Sequence, residues 1–163
     1  MTLGELNHLD PARAAAEFRR CCGSGRWARA MAEARPFATL DAMTRAGDAC
    51  WAALAPDDWL EAFAAHPQIG EQQPVSTWST EEQSGMQSAA DDVRARLAAS
   101  NAVYRSRFGY IFVVCATGKS PAEMLAMLDA RLLNSPAIEL RVAADEQRKI
   151  TGLRVAKLVD AHA

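Results

Sequence analysis

The stretch DPARAAAEFRRCCGSGRWARAMAEARP at residues 10–36 decides the fold class of this chain. Asp10 directly before Pro11 is typical of a helix N-cap followed by proline at the first helical position. Ser24 can cap a second helix, and Pro36 stops that helix because the residue before a proline disfavours helical geometry. The stretch therefore predicts two consecutive helices, at residues 11–22 and 24–34.

Capped helical segments continue along the rest of the chain. Apolar residues recur at three- and four-residue spacing over residues 40–54, and Ser120 with Glu123 has the spacing of a capping box. The run HPQIGEQQPVSTW at residues 66–78 predicts a loop, because it contains two prolines and a glycine. Helices are accordingly expected at residues 40–54, from 56 onward, 79–106, 120–134 and 136–159.

The segment FGYIFVVCA at residues 108–116 breaks the helical pattern. Its continuous β-branched and aromatic residues favour a buried strand on pattern alone. No other segment offers a partner strand, so a buried helix turn or an extended connector is equally compatible. The whole sequence predicts an all-α fold, a single-domain helical bundle of about seven to nine helices that spans residues 1–163.

Composition and charge argue against several classes of protein. Of the 163 residues, 50% are hydrophobic and 23% are charged, which is typical of one globular domain rather than a disordered chain. The 18 Lys and Arg against 20 Asp and Glu give a net charge of −2, which argues against nucleic-acid binding. No apolar run approaches the roughly 20 residues of a membrane span, so no membrane partner is expected. The N-terminus lacks the layout of a secretory signal, which predicts a cytoplasmic protein.

The four cysteines do not form a metal-binding pattern. Cys21 and Cys22 are adjacent, whereas Cys50 and Cys115 stand alone, so the sequence has no CxxC pair and no zinc framework. Free, buried thiols in a reducing compartment are the expected state. The spacing of the histidines adds no metal ligands, and no metal site is predicted.

His66 is the first candidate for chemistry, because it lies where a predicted helix ends and the irregular loop begins. The other two histidines, His8 and His162, lie near the termini and are expected to be solvated. An imidazole near neutral pH can act as a general acid or base. A histidine at a helix C-terminus can also serve only to interact with the helix dipole, so both roles stay open.

Two further candidates also have a simple structural explanation. Ser79 and Glu82 have capping-box spacing and are expected to begin a helix, whose N-terminal N–H groups would also suit an anionic ligand. Arg154 shares a helical stripe with Ile150 and Leu158. Its guanidinium can snorkel to the edge of that stripe, form an internal salt bridge, or bind a carboxylate in a bidentate manner.

Taken together, these residues and several others resemble one known family, that of 2-oxo-4-hydroxy-4-carboxy-5-ureidoimidazoline (OHCU) decarboxylase. The resemblance covers the chain from Phe18 to about Leu158, and its elements follow the order and spacing of the family. They are HPxIG at residues 66–70, SxxEQ at 79–83, RFGxxFxxCA at 107–116, RLxN at 131–134, EL at 139–140 and EQxKIxxLR at 146–154.

The resemblance implies an all-helical, cytoplasmic enzyme that uses no metal or organic cofactor and forms a homodimer. It implies that the chain decarboxylates OHCU, a small ureidoimidazoline, to (S)-allantoin in the last step of urate degradation to allantoin. It also implies that residues 108–116 are a helix or an extended connector rather than a strand.

Residue by residue, the resemblance implies that His66 is the catalytic acid or base and that Glu82 orients it or accepts from a substrate N–H. Arg154 is expected to hold a carboxylate or carbonyl group of the substrate. The substrate-binding residues implied are Pro67, Ser79, Thr80, Glu81, Gln83, Phe112, Val113, Val114, Cys115, Ala116 and Arg154. Two alternatives stay open: a non-catalytic helical interaction module, and a lyase or hydrolase that acts on a related ureide.

Overall fold

A computed structural model describes the fold of residues 1–66 and 87–159. Over these two ranges the chain forms eight α-helices and no strand, which confirms the all-α fold class. The helices are α1 (Leu3–His8), α2 (Pro11–Cys21), α3 (Gly25–Glu33), α4 (Leu40–Ala52), α5 (Pro56–Ala64), α6 (Gln87–Phe108), α7 (Pro121–Arg131) and α8 (Pro136–Leu158). None of the helices in the described ranges is long and apolar enough to cross a membrane.

The helices begin at the capping residues that the sequence indicates. The Ser24 hydroxyl accepts from the backbone N–H of Trp27 at 3.2 Å, and Asp10 caps α2 in the same way. The Ser120 hydroxyl accepts from the backbone N–H of Glu123 at 3.1 Å, and it lies 3.2 Å from the Glu123 carboxylate, to which it donates. Each cap satisfies a backbone donor that has no partner inside its helix. The starts of α2, α3 and α7 are therefore as predicted.

The short helix α1 is not indicated by the sequence pattern. Thr2 and Glu5 form a reciprocal capping box there, in which the Thr2 N–H donates to the Glu5 carboxylate at 2.7 Å and the Glu5 N–H donates to the Thr2 hydroxyl at 3.0 Å. Leu6 is fully buried, whereas His8 is exposed, as expected for a solvated histidine. His162 lies outside the described residues.

The described residues fall into two compact units. The first unit comprises residues 1–65 and the described chain from Ala144 onward, and its core contains fully buried Phe18 and Trp27, whose rings meet edge to face at 6.0 Å. Trp51 is also buried and donates its indole N–H to the backbone carbonyl of Ala144 at 2.9 Å. The organisation of residues 1–163 as a single domain stays a prediction.

The second unit, His66–Ala143, has a core of its own in its described part. The helix α6 ends at Phe108 and is followed by Gly109, whose φ of 87° suits glycine and whose N–H donates to the Arg105 carbonyl at 2.8 Å. The buried core residues of this unit are Leu97, Tyr104, Phe112, Val114, Met124, Leu125 and Leu128.

Residues 111–116, between α6 and α7, are neither strand nor helix. The first five of them are buried, as the apolar pattern predicts. The strand favoured by that pattern is wrong, because none of the described residues forms a partner strand and side chains bind the backbone polar groups instead. An irregular connector occupies this place in the fold.

Candidate active site

The predicted site residues that the structure describes lie in three places: at His66 after α5, in Phe112–Ala116 between α6 and α7, and at Arg154 on α8. The capping-box helix start predicted at Ser79 lies outside the described residues, and so do the remaining predicted site residues. These are Pro67, Ser79, Thr80, Glu81, Glu82 and Gln83.

His66 lies two residues beyond the last helical residue of α5 and is half-buried. The last turn of α5 is anchored by Ala62 and Phe63, which are both fully buried. The N–H of Ala65 donates to the Ala62 carbonyl at 3.2 Å and closes the helix. The position predicted for His66, at the C-terminal end of a helix, is therefore confirmed.

The connector at residues 111–116 is held by cationic side chains that bind its carbonyl groups. Arg131 donates from Nη1 to the Val113 carbonyl at 2.7 Å, and Lys119 donates from Nζ to the Cys115 carbonyl at 2.9 Å. A buried carbonyl without a partner is unfavourable, so these contacts take the place of a β-ladder. They satisfy two of the connector's backbone acceptors.

Arg131 belongs to a buried ion pair with Glu139. The Arg131 side chain is 7% exposed and the Glu139 side chain 0%, with 2.6 Å between Nη2 and Oε2. The Glu139 carboxylate also accepts from the Tyr104 hydroxyl and from Asn134 Nδ2, the latter at 3.1 Å. The guanidinium carbon of Arg131 lies 4.5 Å from the centre of the Phe112 ring. The Arg131 guanidinium thus contacts the Glu139 carboxylate, the Phe112 ring and the Val113 carbonyl, and the last two belong to the predicted substrate-binding segment.

Tyr104 is fixed as a hydrogen-bond donor in this cluster. Burial raises the pKa of its phenol well above the ordinary value, and the hydrogen bond to Glu139 raises it further. The Tyr104 side chain is fully buried, and its ring lies 5.5 Å from the Phe112 ring. Its hydroxyl therefore keeps its proton throughout the pH range in which an imidazole titrates.

Arg131 and Glu139 match the family's elements but are not among the predicted site residues. The missed signal is the stripe of buried residues on α7, in which Arg131 follows Met124 and Leu128 at helical spacing. An arginine in such a stripe needs a buried partner or a route to solvent. Arg131 therefore shows the same sequence pattern as Arg154, an arginine within an apolar helical stripe.

Arg154 is exposed on α8. Within residues 1–66 and 87–159 no hydrogen bond or ion pair engages its guanidinium, so the internal salt bridge that the sequence left open is not found there. Its positive charge lies close enough to Cys21 to favour the thiolate of that residue. The guanidinium is therefore presented to solvent rather than held in the core.

The four cysteines are free thiols, and Cys21, Cys22 and Cys115 are buried while Cys50 is half-buried. Burial raises the pKa of Cys21 to about 11, against the opposing charge of Arg154, and burial also raises the pKa of Cys22. In the part of the chain that the structure describes, no group of three or more His, Cys, Asp and Glu is placed to hold a metal ion.

Comparison with known proteins identifies the family. The sequence model of OHCU decarboxylase matches residues 7–156, which is most of the chain. The chain belongs to the OHCU decarboxylase family. A crystal structure of OHCU decarboxylase in the presence of (S)-allantoin is 39% identical in sequence and superposes with a TM-score of 0.74, over 87% of this chain and 96% of that one.

Two relatives differ in how much of their own length this chain matches. The uric acid degradation bifunctional protein TTL of Arabidopsis thaliana is 40% identical over 149 residues, which cover 87% of this chain and 46% of that protein. The chain thus spans about half the length of that relative. The 2-oxo-4-hydroxy-4-carboxy-5-ureidoimidazoline decarboxylase of Haloferax volcanii is 28% identical over 96% of this chain and 95% of its own length.

Proposed function

We propose that this member of the OHCU decarboxylase family converts OHCU to (S)-allantoin, without a metal or organic cofactor, in the last step of urate degradation to allantoin. Family membership over residues 7–156 carries the proposal. The Haloferax volcanii relative, which the chain matches over nearly its full length, is named for the decarboxylase alone. That match supports decarboxylation over any other reaction of the bifunctional relatives.

The chemistry of the substrate explains why no cofactor is needed. In OHCU the carboxylate and a hydroxyl share one ring carbon, and the adjacent C=N bond can accept the electron pair left when CO2 departs. The ring nitrogen that accepts this electron pair takes up a proton from water. The hydroxyl then loses its proton and becomes a carbonyl, while a proton is added to the ring carbon that carries the ureido group. An imidazole titrates near pH 7, so one such group can take the first proton and deliver the second. The ring face that receives the proton sets the configuration of allantoin.

In this proposal His66 is the catalytic acid and base, and Glu82 orients its imidazole or accepts from a substrate N–H. Arg154 holds a carboxylate or carbonyl group, which its exposed guanidinium supports. Gln83 and the backbone of Val113–Ala116 hold the amide edges of the substrate ring, and the absence of a strand paired with this backbone among the described residues supports the part of the connector in this role. The other substrate-binding residues proposed are Pro67, Ser79, Thr80, Glu81 and Phe112.

We also propose that the protein works in the cytoplasm as a homodimer. The four free thiols support a reducing compartment. The dimer rests on the family resemblance, and light scattering coupled to size-exclusion chromatography tests it. A monomer at micromolar concentration would contradict the dimer without affecting the proposed reaction.

The reaction is tested by circular dichroism with OHCU freshly generated from urate by the two upstream enzymes. We expect a rapid, protein-dependent increase of the (S)-allantoin signal. If folded protein leaves only the slow decay to optically inactive product, the decarboxylase proposal is wrong and the non-catalytic helical module becomes the better explanation. If the protein instead consumes a different ureide, a lyase or hydrolase that acts on a related ureide becomes the better explanation.

The role of His66 is tested in the same assay with the variant His66→Asn. We expect kcat to fall by at least about 100-fold, because a general acid and base is lost, while the melting temperature stays close to that of the wild type. The control is His8→Asn, since His8 is exposed and its ring nitrogen hydrogen-bonds the Gly4 carbonyl of its own helix, at 2.7 Å. Near-wild-type turnover by His66→Asn would contradict the catalytic role.

A further inference from the structure

The turn between α2 and α3 packs so closely against the end of α5 that a side chain at Gly23 does not fit. A Cβ atom added to Gly23 would lie 2.4 Å from the Cβ of Ala65, whereas the next nearest atoms, both of Ala62, would be 3.6 Å away. Carbon atoms in favourable contact are about 3.5–4.0 Å apart, so only the Ala65 contact is too short. Ala65 is joined by one peptide bond to His66. The tight contact therefore lies directly before the proposed catalytic residue.

Two polar contacts join the same face of α5 to the start of α3. Arg26 lies 3.6 Å from Asp58 in the first turn of α5, and the N–H of Gly25 donates to the Glu61 carboxylate at 2.8 Å one turn later. Positions 58, 61 and 65 recur at helical spacing and so share one face of α5. The glycine contact is the last of the three along that face, and it sets how closely the end of α5 approaches the turn.

The turn itself is held by buried groups. Ser24 and Trp27 are both fully buried, and the Ser24 hydroxyl caps α3 through the Trp27 N–H. The Trp27 indole donates to the Gly47 carbonyl at 3.0 Å, which ties the start of α3 to α4. Cys22, on the other side of Gly23, is 1% exposed. Close-packed groups of this kind yield little. Ala65, in contrast, is exposed and lies just beyond the last helical residue of α5, so an added atom at Gly23 would displace Ala65 rather than the turn.

We infer that Gly23 and Ala65 are positioning residues, whose close contact sets the place of His66 by fixing the end of α5. The inference rests on the proposed catalytic role of His66. Neither residue needs to touch the substrate. What matters is that the contact has room for a Cβ atom at only one of the two positions.

The inference is tested with Gly23→Ala and with the double variant Gly23→Ala/Ala65→Gly. In the single variant the two Cβ atoms must separate by about 1 Å, and a misplacement of that size lowers kcat by about 10- to 100-fold while KM changes little. In the double variant the nearest atoms to the new Cβ are 3.6 Å away, so the close approach is again possible. We expect the double variant to regain a kcat within about threefold of the wild type, as the geometry is restored.

Gly25→Ala is the matched control, because it makes the same substitution two positions along the chain. Its Cβ atom would lie 2.6 Å from Nη1 of Arg19, the mobile tip of a long side chain that can move aside. We expect an unchanged kcat. A loss equal to that of Gly23→Ala would show a general effect of substitution in the turn and would overturn the inference.

A second readout does not depend on turnover. The chain has three histidines, so the imidazole signal of His66 can be assigned in a histidine-labelled NMR spectrum by its loss in His66→Asn. We expect this signal to move in Gly23→Ala and to return in the double variant, while the His8 signal stays in place. If the wild type does not decarboxylate OHCU, the proposed function fails, yet the His66 signal still reports on the positioning.

Three results would overturn the positioning role. One is an unchanged His66 signal in folded Gly23→Ala protein, and another is a double variant that does not restore the signal. The third concerns the case in which Gly23→Ala does not fold: if the double variant does not fold either, Ala65 is excluded as the residue that clashes with a side chain at position 23. If the double variant instead folds and shows the wild-type His66 signal, the close contact is supported.

Discussion

Arg131 shows at the scale of one residue how much a buried charge depends on its partner. Glu139 has no exposed surface, and the Arg131 guanidinium is the cation it meets in the described structure. Replacing Arg131 with Met leaves that carboxylate buried without a counter-charge and also removes the donor to the Val113 carbonyl. We expect Arg131→Met to lower the free energy of unfolding by about 3–5 kcal/mol, measured by urea unfolding at neutral pH.

The control for this prediction is the same substitution at an exposed arginine. Arg107 donates from Nη2 to the Asn134 carbonyl at 2.9 Å on the surface, and its guanidinium lies 5.0 Å from the Phe108 ring centre. We expect Arg107→Met to cost less than about 1 kcal/mol, because water can replace the lost contact. If Arg131→Met cost no more than Arg107→Met, the buried pair would not stabilise the unit.

Single residues are predictable from the sequence where their setting is local. The position of His66 just after a helix is predictable because Pro67, its neighbour in sequence, disfavours helical geometry before it. The cluster around Arg131 is not predictable in this way, because its partners Tyr104 and Glu139 lie 27 and 8 residues away. Glu139 in the first turn of α8 also has a sufficient local explanation, as an acidic residue near the positive end of a helix dipole.

At the scale of elements, Ser120 is expected to stabilise α7 through its cap. Ser120→Ala removes the acceptor for the Glu123 N–H, and we expect it to lower the free energy of unfolding by about 1 kcal/mol. Urea unfolding of Ser120→Ala and Ser120→Asp measures this, and the aspartate should retain most of the stability. Ser106→Ala, at an exposed position inside α6, should change little. Equal losses in the two alanine variants would argue against a capping role.

The elements divide into those set by local chemistry and those set by tertiary contacts. The starts of α2, α3 and α7 follow from caps a few residues away, so the sequence predicts them well. The connector at residues 111–116 does not follow from its own composition, which favours a strand. Its Phe112 N–H meets the Asn101 amide oxygen at 3.4 Å and its Cys115 carbonyl meets Lys119. Side chains outside the run therefore decide its conformation.

At the scale of the whole molecule, the two compact units do not follow one another along the sequence. The first unit contains both the N-terminal residues and the described end of the chain, and α8 begins in one unit and ends in the other. At the crossing between Ala143 and Ala144 the continuous helix α8 carries the chain from one unit to the other, without a linker. Composition and periodicity predict the helical class, since both are properties of short segments. They do not predict which helices belong to the same compact unit, because this depends on contacts between residues far apart in sequence.

The stability of the molecule is expected to fall as the pH rises above 9. Burial raises the pKa of the Cys21 thiol from 9.0 to about 11, and burial also raises the pKa values of Cys22 and Tyr104. In the unfolded chain the Cys21 thiol loses its proton near pH 9, whereas the folded protein keeps it until about pH 11. The unfolded state then binds fewer protons, so the free energy of unfolding decreases across this window. Cys21 alone accounts for a loss of about 1 kcal/mol between about pH 8 and about pH 10.

Urea unfolding at several pH values between neutrality and about pH 10 measures this slope, and Cys21→Ala isolates the contribution of one thiol. The variant should be less stable than the wild type at neutral pH, because a buried side chain is truncated, but its stability should fall less steeply with pH. Met31→Ala is the control, since Met31 is fully buried in the same unit and does not titrate. It should lower stability at every pH and leave the slope unchanged. If the stability of Cys21→Ala fell as steeply with pH as that of the wild type, the pH dependence would come from the other buried acids. If the wild type became more stable above pH 9, the predicted sign of the pH dependence would be wrong.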